Sequence, residues 1–112
     1  VIRDHDGRVY WAGGTRRDAA GRITLLRPED VQFTPQRTWR SPRTGATYPV
    51  ALRIAAGAET LDLAPLMDDQ ELDSRASVGT VYWEGAVRVL RDGRPVGRGY
   101  LELTGYAGAL RI

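Results

Sequence analysis

The sequence lacks cysteine and lysine altogether, and it contains a single histidine. Without cysteine there can be no disulfide, no thiol nucleophile and no cysteine-ligated metal. The one histidine, His5, lies between Asp4 and Asp6 near the start of the chain, and we interpret it as an exposed loop residue. A histidine-based zinc site or a Ser-His-Asp triad is therefore not predicted. No motif for binding a nucleotide, a metal or an organic cofactor is present either.

Clustered positive charge and long apolar runs are also missing. All 16 basic residues are arginine, the formal net charge is only +2, and Arg16-Arg17 is the only adjacent basic pair. A nucleic-acid-binding face needs clustered basic residues, so we expect no nucleic-acid partner. No segment is long enough to predict a membrane-spanning helix.

The length of 112 residues fits one small domain, residues 1–112. The chain begins at Val1 rather than at a methionine, and it stops at Ile112 just after a strand-like run. We therefore expect it to be a piece of a larger protein, with a leader or a whole domain preceding it.

What the sequence does contain is apolar alternation with a period of two, which is typical of half-buried β-strands. In TYPVALRIA every second residue from Tyr48 to Ile54 is apolar, and TLDLAPL follows after a short turn. These two segments predict a hairpin with matching apolar faces. Asp6-Gly7 and the stretch from Asp18 to Gly21 predict two further turns, and Pro28 opens a single helical turn.

The last third of the chain predicts the clearest hairpin. Asp92-Gly93 separates TVYWEGAVRVL from RPVGRGYLELTGY, and a type I′ turn needs positive φ at both of its central residues. Regular pairing from this turn would place Tyr100 opposite Gly85, where the ring would cover the bare glycine.

The whole pattern predicts an all-β fold of about seven or eight short strands. No amphipathic helix longer than about two turns is present. Consecutive hairpins favour an antiparallel up-and-down meander. We expect that meander to close into a β-barrel, because closure removes exposed strand edges.

Two glutamates in the last hairpin raise the question of a pocket. Regular pairing would put Glu102 and Trp83 on one face and Glu84 on the other. The face of Glu102 carries more bulk, so we predict it inside, with Glu84 on an outer face or a domain interface. Inside, Glu102 would pair with Arg98, or a protonated Glu102 in an aromatic pocket would act as a general acid. A β-bulge at a nearby glycine would reverse this assignment.

Acidic residues cluster in MDDQELD, between Met67 and Asp73. Their carboxylates could bind a hard cation, but the pattern of an EF-hand loop is missing. On these residues alone we interpret the segment as a solvated loop between strands.

Four segments resemble one known family: WRSPRTGATYPV, DDQELD, TVYWEGAVRV and GRGYLELTGYAG. In this order, between residues 39 and 108, they are similar to the carboxy-terminal domain of the carotenoid 1,2-hydratase (hydroxyneurosporene synthase) and AttH-like family. QELD and YWEGAV look like family signatures, which gives more weight to Gln70, Glu71, Tyr82, Trp83 and Glu84.

The resemblance implies a protein of two lipocalin-like (calycin-like) β-barrels, in which this chain is the C-terminal barrel and an N-terminal sister domain is its partner. The family includes hydratases that protonate an isoprenoid double bond and add water without a metal or organic cofactor. Related fungal and bacterial proteins of similar architecture are cyclases, and many family members are envelope proteins encoded beside transporters, so the resemblance favours the cell envelope or periplasm over the cytoplasm.

Three functions stay open. The chain could bind or enclose an apolar, isoprenoid or polyene-like ligand, or it could be a cofactor-free hydratase or cyclase with Glu102 or Glu84 as the acid. It could also be a structural or interface domain with a filled core. The candidate ligand-binding residues are Trp39, Tyr48, Trp83, Arg98, Tyr100, Glu102 and Tyr106.

Overall fold

The computed structural model describes residues 1–108, which form ten β-strands and one 3₁₀ turn at Pro28–Asp30. The strands are β1 (Ile2–Arg3), β2 (Val9–Trp11), β3 (Gly14–Arg17), β4 (Ile23–Leu26), β5 (Val31–Arg40), β6 (Thr47–Ala56), β7 (Glu59–Pro65), β8 (Glu71–Ser74), β9 (Thr80–Arg91) and β10 (Arg94–Leu103).

The first four strands form two separate hairpins, β1–β2 and β3–β4. An aspartate organises each turn: Asp4 and Asp18 each accept hydrogen bonds from two following backbone N–H groups. Gly7 and Gly21 complete the turns with φ of 84° and 85°, so both predicted turns are confirmed. Ala12 is the only buried residue among the first 30, so these hairpins contribute little to the core.

The other strands form one antiparallel sheet in the order β10–β9–β7–β6–β5. The predicted all-β meander is confirmed in this order. Within residues 1–108 no sheet closes on itself, because β5 and β10 are opposite ends of the order. The predicted closure into a barrel is therefore not confirmed.

Strand β9 is long enough to pair with two partners on one side. Residues 87–90 pair with β7, and residues 80–83 pair with β8. The acidic segment crosses the gap between these partners and then enters β8. The interpretation of this segment as a solvated loop was wrong for three of its seven residues, because Glu71, Leu72 and Asp73 belong to β8.

The core lies on one face of the large sheet, the inner face. Tyr48 and Val50 of β6 are fully buried with Trp83 and Val87 of β9, and Leu103 of β10 joins them. The alternation predicted for β6 is thus confirmed, with Tyr48, Val50 and Leu52 inside. This burial of β-branched and aromatic side chains drives the local fold.

A β-bulge changes the register of the last hairpin. Asp92 and Gly93 have φ of 51° and 76°, as the type I′ turn requires. Pro95 pairs with Leu90 and Gly97 pairs with Val89, so Val96 is an extra residue on β10. Because side chains alternate along a strand, one extra residue moves the rest of β10 to the opposite face.

Candidate functional site

The bulge places Glu84 and Glu102 directly opposite each other on the outer face of the sheet. The prediction that they face opposite ways was therefore wrong, and so was the inward position of Glu102. Leu101, rather than Tyr100, lies opposite Gly85. The prediction assumed regular pairing, but Val96 has no partner on β9, so each later residue of β10 pairs one position nearer to the turn on β9 than predicted.

Tyr100, Arg98 and Glu102 share this outer face. Tyr100 is 68% exposed, and Glu102 accepts a hydrogen bond of 2.8 Å from the hydroxyl of Thr104. None of the ion pairs among residues 1–108 includes Arg98 or Glu102. The predicted internal Arg98–Glu102 pair is therefore not formed. Trp83 lies buried on the other side of the sheet, so no pocket is shared between Trp83 and Tyr100.

Four of the predicted ligand-binding aromatics do come together. The rings of Trp39 and Tyr48 stack with centroids 6.2 Å apart, and Tyr106 tilts against Tyr48 at 5.8 Å. Tyr48 belongs to the same buried cluster as Trp83, against which Trp39 also packs. Only Tyr106, which is 41% exposed, presents a substantial part of this aromatic cluster to solvent.

The most organised polar group is the carboxylate of Glu71, at the start of β8. Its side chain is only 2% exposed. Ser41 donates a hydrogen bond to Oε1 at 2.6 Å, while Thr44 and the hydroxyl of Tyr48 donate to Oε2 at 2.7 and 2.8 Å. The guanidinium of Arg43 lies 3.4 Å from Oε1. A buried carboxylate is stable only with such partners.

These contacts fix the protonation of the site. Burial alone raises the pKa of Glu71, but the hydroxyl donors Ser41, Thr44 and Tyr48 and the charge of Arg43 outweigh it and lower the pKa below its ordinary value. Burial and the hydrogen bond to Glu71 raise the pKa of Tyr48. At neutral pH Glu71 is therefore an ion and Tyr48 a neutral donor. This carboxylate is an acceptor and cannot protonate an alkene.

Gln70 locks the preceding loop onto β9. Its side-chain amide donates to the carbonyl oxygens of Met67 and Ala86 and accepts from the backbone N–H of Ala86. Its own carbonyl oxygen accepts from the N–H of Glu84. A Cβ built on Gly85 would overlap the Gln70 amide. Gly85 is thus needed so that this side chain can lie on the strand and replace missing ladder hydrogen bonds.

Arginines hold the same loop from the other side. Arg37 and Asp68 form two hydrogen bonds of 2.7 Å, and Arg43 binds Asp69 through both of its terminal nitrogens. The indole of Trp83 donates to the carbonyl oxygen of Asp68 at 2.7 Å. Asp68 and Asp69, the first two acidic residues of this segment, therefore both pair with arginines. Among residues 1–108 no group of three or more His, Cys, Asp or Glu side chains is arranged to hold a metal ion.

Two features of the sequence indicate the Glu71 site: the segment QELD and a glycine inside strand β9. The family signatures pointed to Gln70 and Glu71 without giving them a role. A glycine inside a strand indicates close approach of another group, but Gly85 was assigned to Tyr100 rather than to Gln70. Ser41, Arg43 and Thr44 carried no individual signal, because their common partner is about 30 residues away in sequence.

The surface of residues 1–108 includes two open clefts of several hundred Å³. One of about 380 Å³ lies beside the Glu71 network and is lined by Arg43, Thr44, Arg75, Gly79, Thr80, Val81, Ala107 and Gly108. The other, of about 440 Å³, lies at the tip of the β9–β10 hairpin. Neither cleft is lined by the aromatic cluster. None of the helical segments in residues 1–108 has the length and apolar character needed to cross a membrane.

Comparison with known proteins gives one consistent result. The model of the AttH-like family matches residues 1–106. The fold is similar to the structure of a candidate AttH protein from Nitrosomonas europaea, with a TM-score of 0.88 and 59% sequence identity over 94% of this chain. The chain spans only 33% of the length of that protein. No curated protein matches the chain.

Proposed function

Because the chain belongs to the AttH-like family, we propose that it is one domain of a longer protein and serves there as a packing and interface domain. The single observation that carries this proposal is the apolar surface of the first two hairpins. Tyr10 is 82% exposed and Leu25 is 72% exposed. Val9, Trp11 and Ile23 are also exposed.

Several exposed large apolar side chains on short hairpins indicate a surface that another element covers. An N-terminal sister domain is the occupant that we propose. The similar protein from Nitrosomonas europaea is about three times as long as the matched region, so it contains ample chain outside this domain. The filled core around Trp83 and Tyr48 supports a role in packing rather than in enclosing a molecule between them.

Hydrogen exchange on the longer protein tests the proposal. We expect slow amide exchange in residues 9–26 of the longer protein and fast exchange in the isolated 112-residue chain. Tyr10→Ser and Leu25→Ser should lower the melting temperature of the longer protein. Val78→Ser is the matched control, because Val78 is 68% exposed in a turn outside these hairpins. Equal exchange in both proteins would refute the interface role.

Binding of an apolar ligand is the second candidate function, and the aromatic cluster of Trp39, Tyr48 and Tyr106 supports it. Tyr106 offers a partly exposed ring at the edge of that cluster, where an isoprenoid or polyene chain could pack. Titrating a polyene into the longer protein should change the fluorescence of Trp39. The Trp39→Phe variant separates this signal from that of Trp11 and Trp83. Unchanged fluorescence in the unmodified protein would remove this candidate.

A cofactor-free hydratase or cyclase remains a prediction from the family resemblance. Its candidate acids, Glu84 and Glu102, lie on the outer face, so an active site there would need the other domain to cover it. Turnover of a lipophilic alkene by Glu84→Gln and Glu102→Gln variants of the longer protein tests this role. Unaltered rates in both variants would exclude the two residues from the mechanism.

A further inference from the structure

We infer that two copies of this chain associate through the free edge of β10, with their strands antiparallel and Tyr100 of each copy on the two-fold axis. In this arrangement Arg98 of each copy lies opposite Glu102 of the other copy. The inference concerns a different surface from the apolar hairpins and does not depend on the interface role proposed for them.

The edge of β10 is suited to accept another strand. β10 is the last strand in the order of its sheet, and every residue between Val96 and Leu103 carries a backbone N–H. Such an edge presents unpaired donors and acceptors to any strand that reaches it. The opposite edge, β5, is less suited, because Pro35 removes a donor and the register is irregular around Arg37.

The charges on the outer face indicate which strand fits. Within the chain Arg98 lies opposite Arg88, and Glu102 lies opposite Glu84. Both are pairs of like charge, which destabilise a sheet. Within residues 1–108 no strand pairs with the other side of Arg98 and of Glu102, which is the free edge of the sheet. A partner strand that places a carboxylate beside Arg98 and a guanidinium beside Glu102 would balance both pairs.

A second copy of β10 supplies these charges in one register. When Tyr100 lies opposite Tyr100 of the second copy, residues two positions away on either side become partners, so Arg98 meets Glu102 twice. The same register sets Gly99 opposite Leu101 on the inner face, which puts small beside large. A two-fold axis at Arg98 would instead set Arg98 opposite Arg98 of the second copy. An axis at Glu102 would set Glu102 opposite Glu102 of the second copy.

Charge reversal tests this arrangement by sedimentation over a concentration series. Arg98→Glu and Glu102→Arg should each raise the dissociation constant of the dimer by about tenfold or more, because each puts like charges opposite one another twice. The double variant should restore association. Arg17→Glu is the control for Arg98→Glu, with the same change in net charge, because Arg17 is an exposed residue of β3, which belongs to a separate sheet; it should leave the dissociation constant unchanged.

A mixture of the two single variants gives the sharpest result. Each Arg98→Glu chain would meet a Glu102→Arg chain with opposite charges at both positions, so the mixture should form heterodimers at concentrations where each variant alone is mostly monomeric. A chain that stays monomeric up to its solubility limit would overturn the inference. So would a dimer that the single reversals leave intact, or a mixture that remains monomeric.

Discussion

Two glutamates of the same sheet, Glu71 and Glu102, have apolar neighbours in sequence but lie in different surroundings: one carboxylate is buried and the other lies on the outer face. Glu71 lies 2% exposed beneath three hydroxyl donors and an arginine. Glu102 lies on the outer face, opposite another glutamate, with one hydroxyl as donor. Both are followed by a leucine. The difference teaches that the donors supplied by distant segments, rather than the apolar neighbours in sequence, decide which carboxylate can be buried.

The Glu71 network connects segments on which the family resemblance was based. The turn SPRTGA supplies Ser41, Arg43 and Thr44 to Glu71. The adjacent Gln70 completes the hydrogen bonding of YWEGAV across Gly85. Side-chain hydrogen bonds of these segments therefore connect neighbouring parts of the sheet.

The largest effect that we expect comes from neutralising Glu71. Glu71→Gln would point an amide NH₂ group at hydroxyl donors, leaving buried groups without acceptors. We expect the free energy of unfolding to fall by about 2 kcal/mol. Glu102→Gln is the matched control and should not destabilise the fold. Urea unfolding of the monomeric chain measures both. A similar loss in the two variants would show that the buried hydrogen bonds of Glu71 add nothing to the free energy of unfolding beyond what an exposed glutamate contributes.

A smaller loss should follow from Gly85→Ala. The new methyl group would displace the Gln70 amide and its hydrogen bonds to β9, and we expect a loss of about 1.5 kcal/mol. Gly97→Ala is the control, because a Cβ at Gly97 would meet only Val89 at an ordinary distance of 3.8 Å. If Gly85→Ala and Gly97→Ala are tolerated equally, the hydrogen bonds between the Gln70 amide and β9 are not a significant source of stability.

The third effect is the pH dependence of the difference between the wild type and Glu71→Gln. The folded-state pKa of Glu71 is lowered, so its contribution is complete above the unfolded value of about 4.3. It is lost as the pH falls through the lower, folded pKa. Urea unfolding between neutral and acidic pH should show the two proteins converging at low pH. Asp68, Asp69 and Asp73 also have lowered pKa values, but both proteins share them.

The smallest effect concerns the outer face. An internal Arg98–Glu102 pair would make Glu102→Gln more destabilising than Glu84→Gln. The observed register reverses this expectation, because either substitution removes half of a like-charged pair. Both variants should be slightly more stable than the wild type at neutral pH and low salt. A marked loss of stability in Glu102→Gln alone would restore the original assignment.

Much of the fold could be predicted because it depends on local patterns. The alternation from Tyr48 to Ile54, the turn at Asp92-Gly93 and the turns near Gly7 and Gly21 each depend on neighbouring residues, and each was predicted. The bulge at Val96 could not be placed, since several glycines nearby were equally compatible with it. That single residue changed the face of Arg98, Tyr100 and Glu102, which are three of the seven predicted ligand-binding residues.

The Glu71 site could not be predicted for a different reason. Its donors come from a turn about 30 residues earlier, and no local pattern shows which carboxylate they meet. A run of acidic residues is most often solvated, so the general expectation was an exposed Glu71, whereas its side chain is buried. Here Arg37 and Arg43 tie the run to the sheet, and the long-range pairing decides the outcome.

A titration of the glutamate side chains followed by carboxyl ¹³C NMR tests the central claim most directly. The chain has only five glutamates, and loss of one signal in Glu71→Gln would assign Glu71. We predict that the carboxyl of Glu71 titrates below the ordinary glutamate pKa of about 4.3. A value at or above that pKa would contradict the account, because it would mean that the hydroxyl donors do not hold an ionised carboxylate.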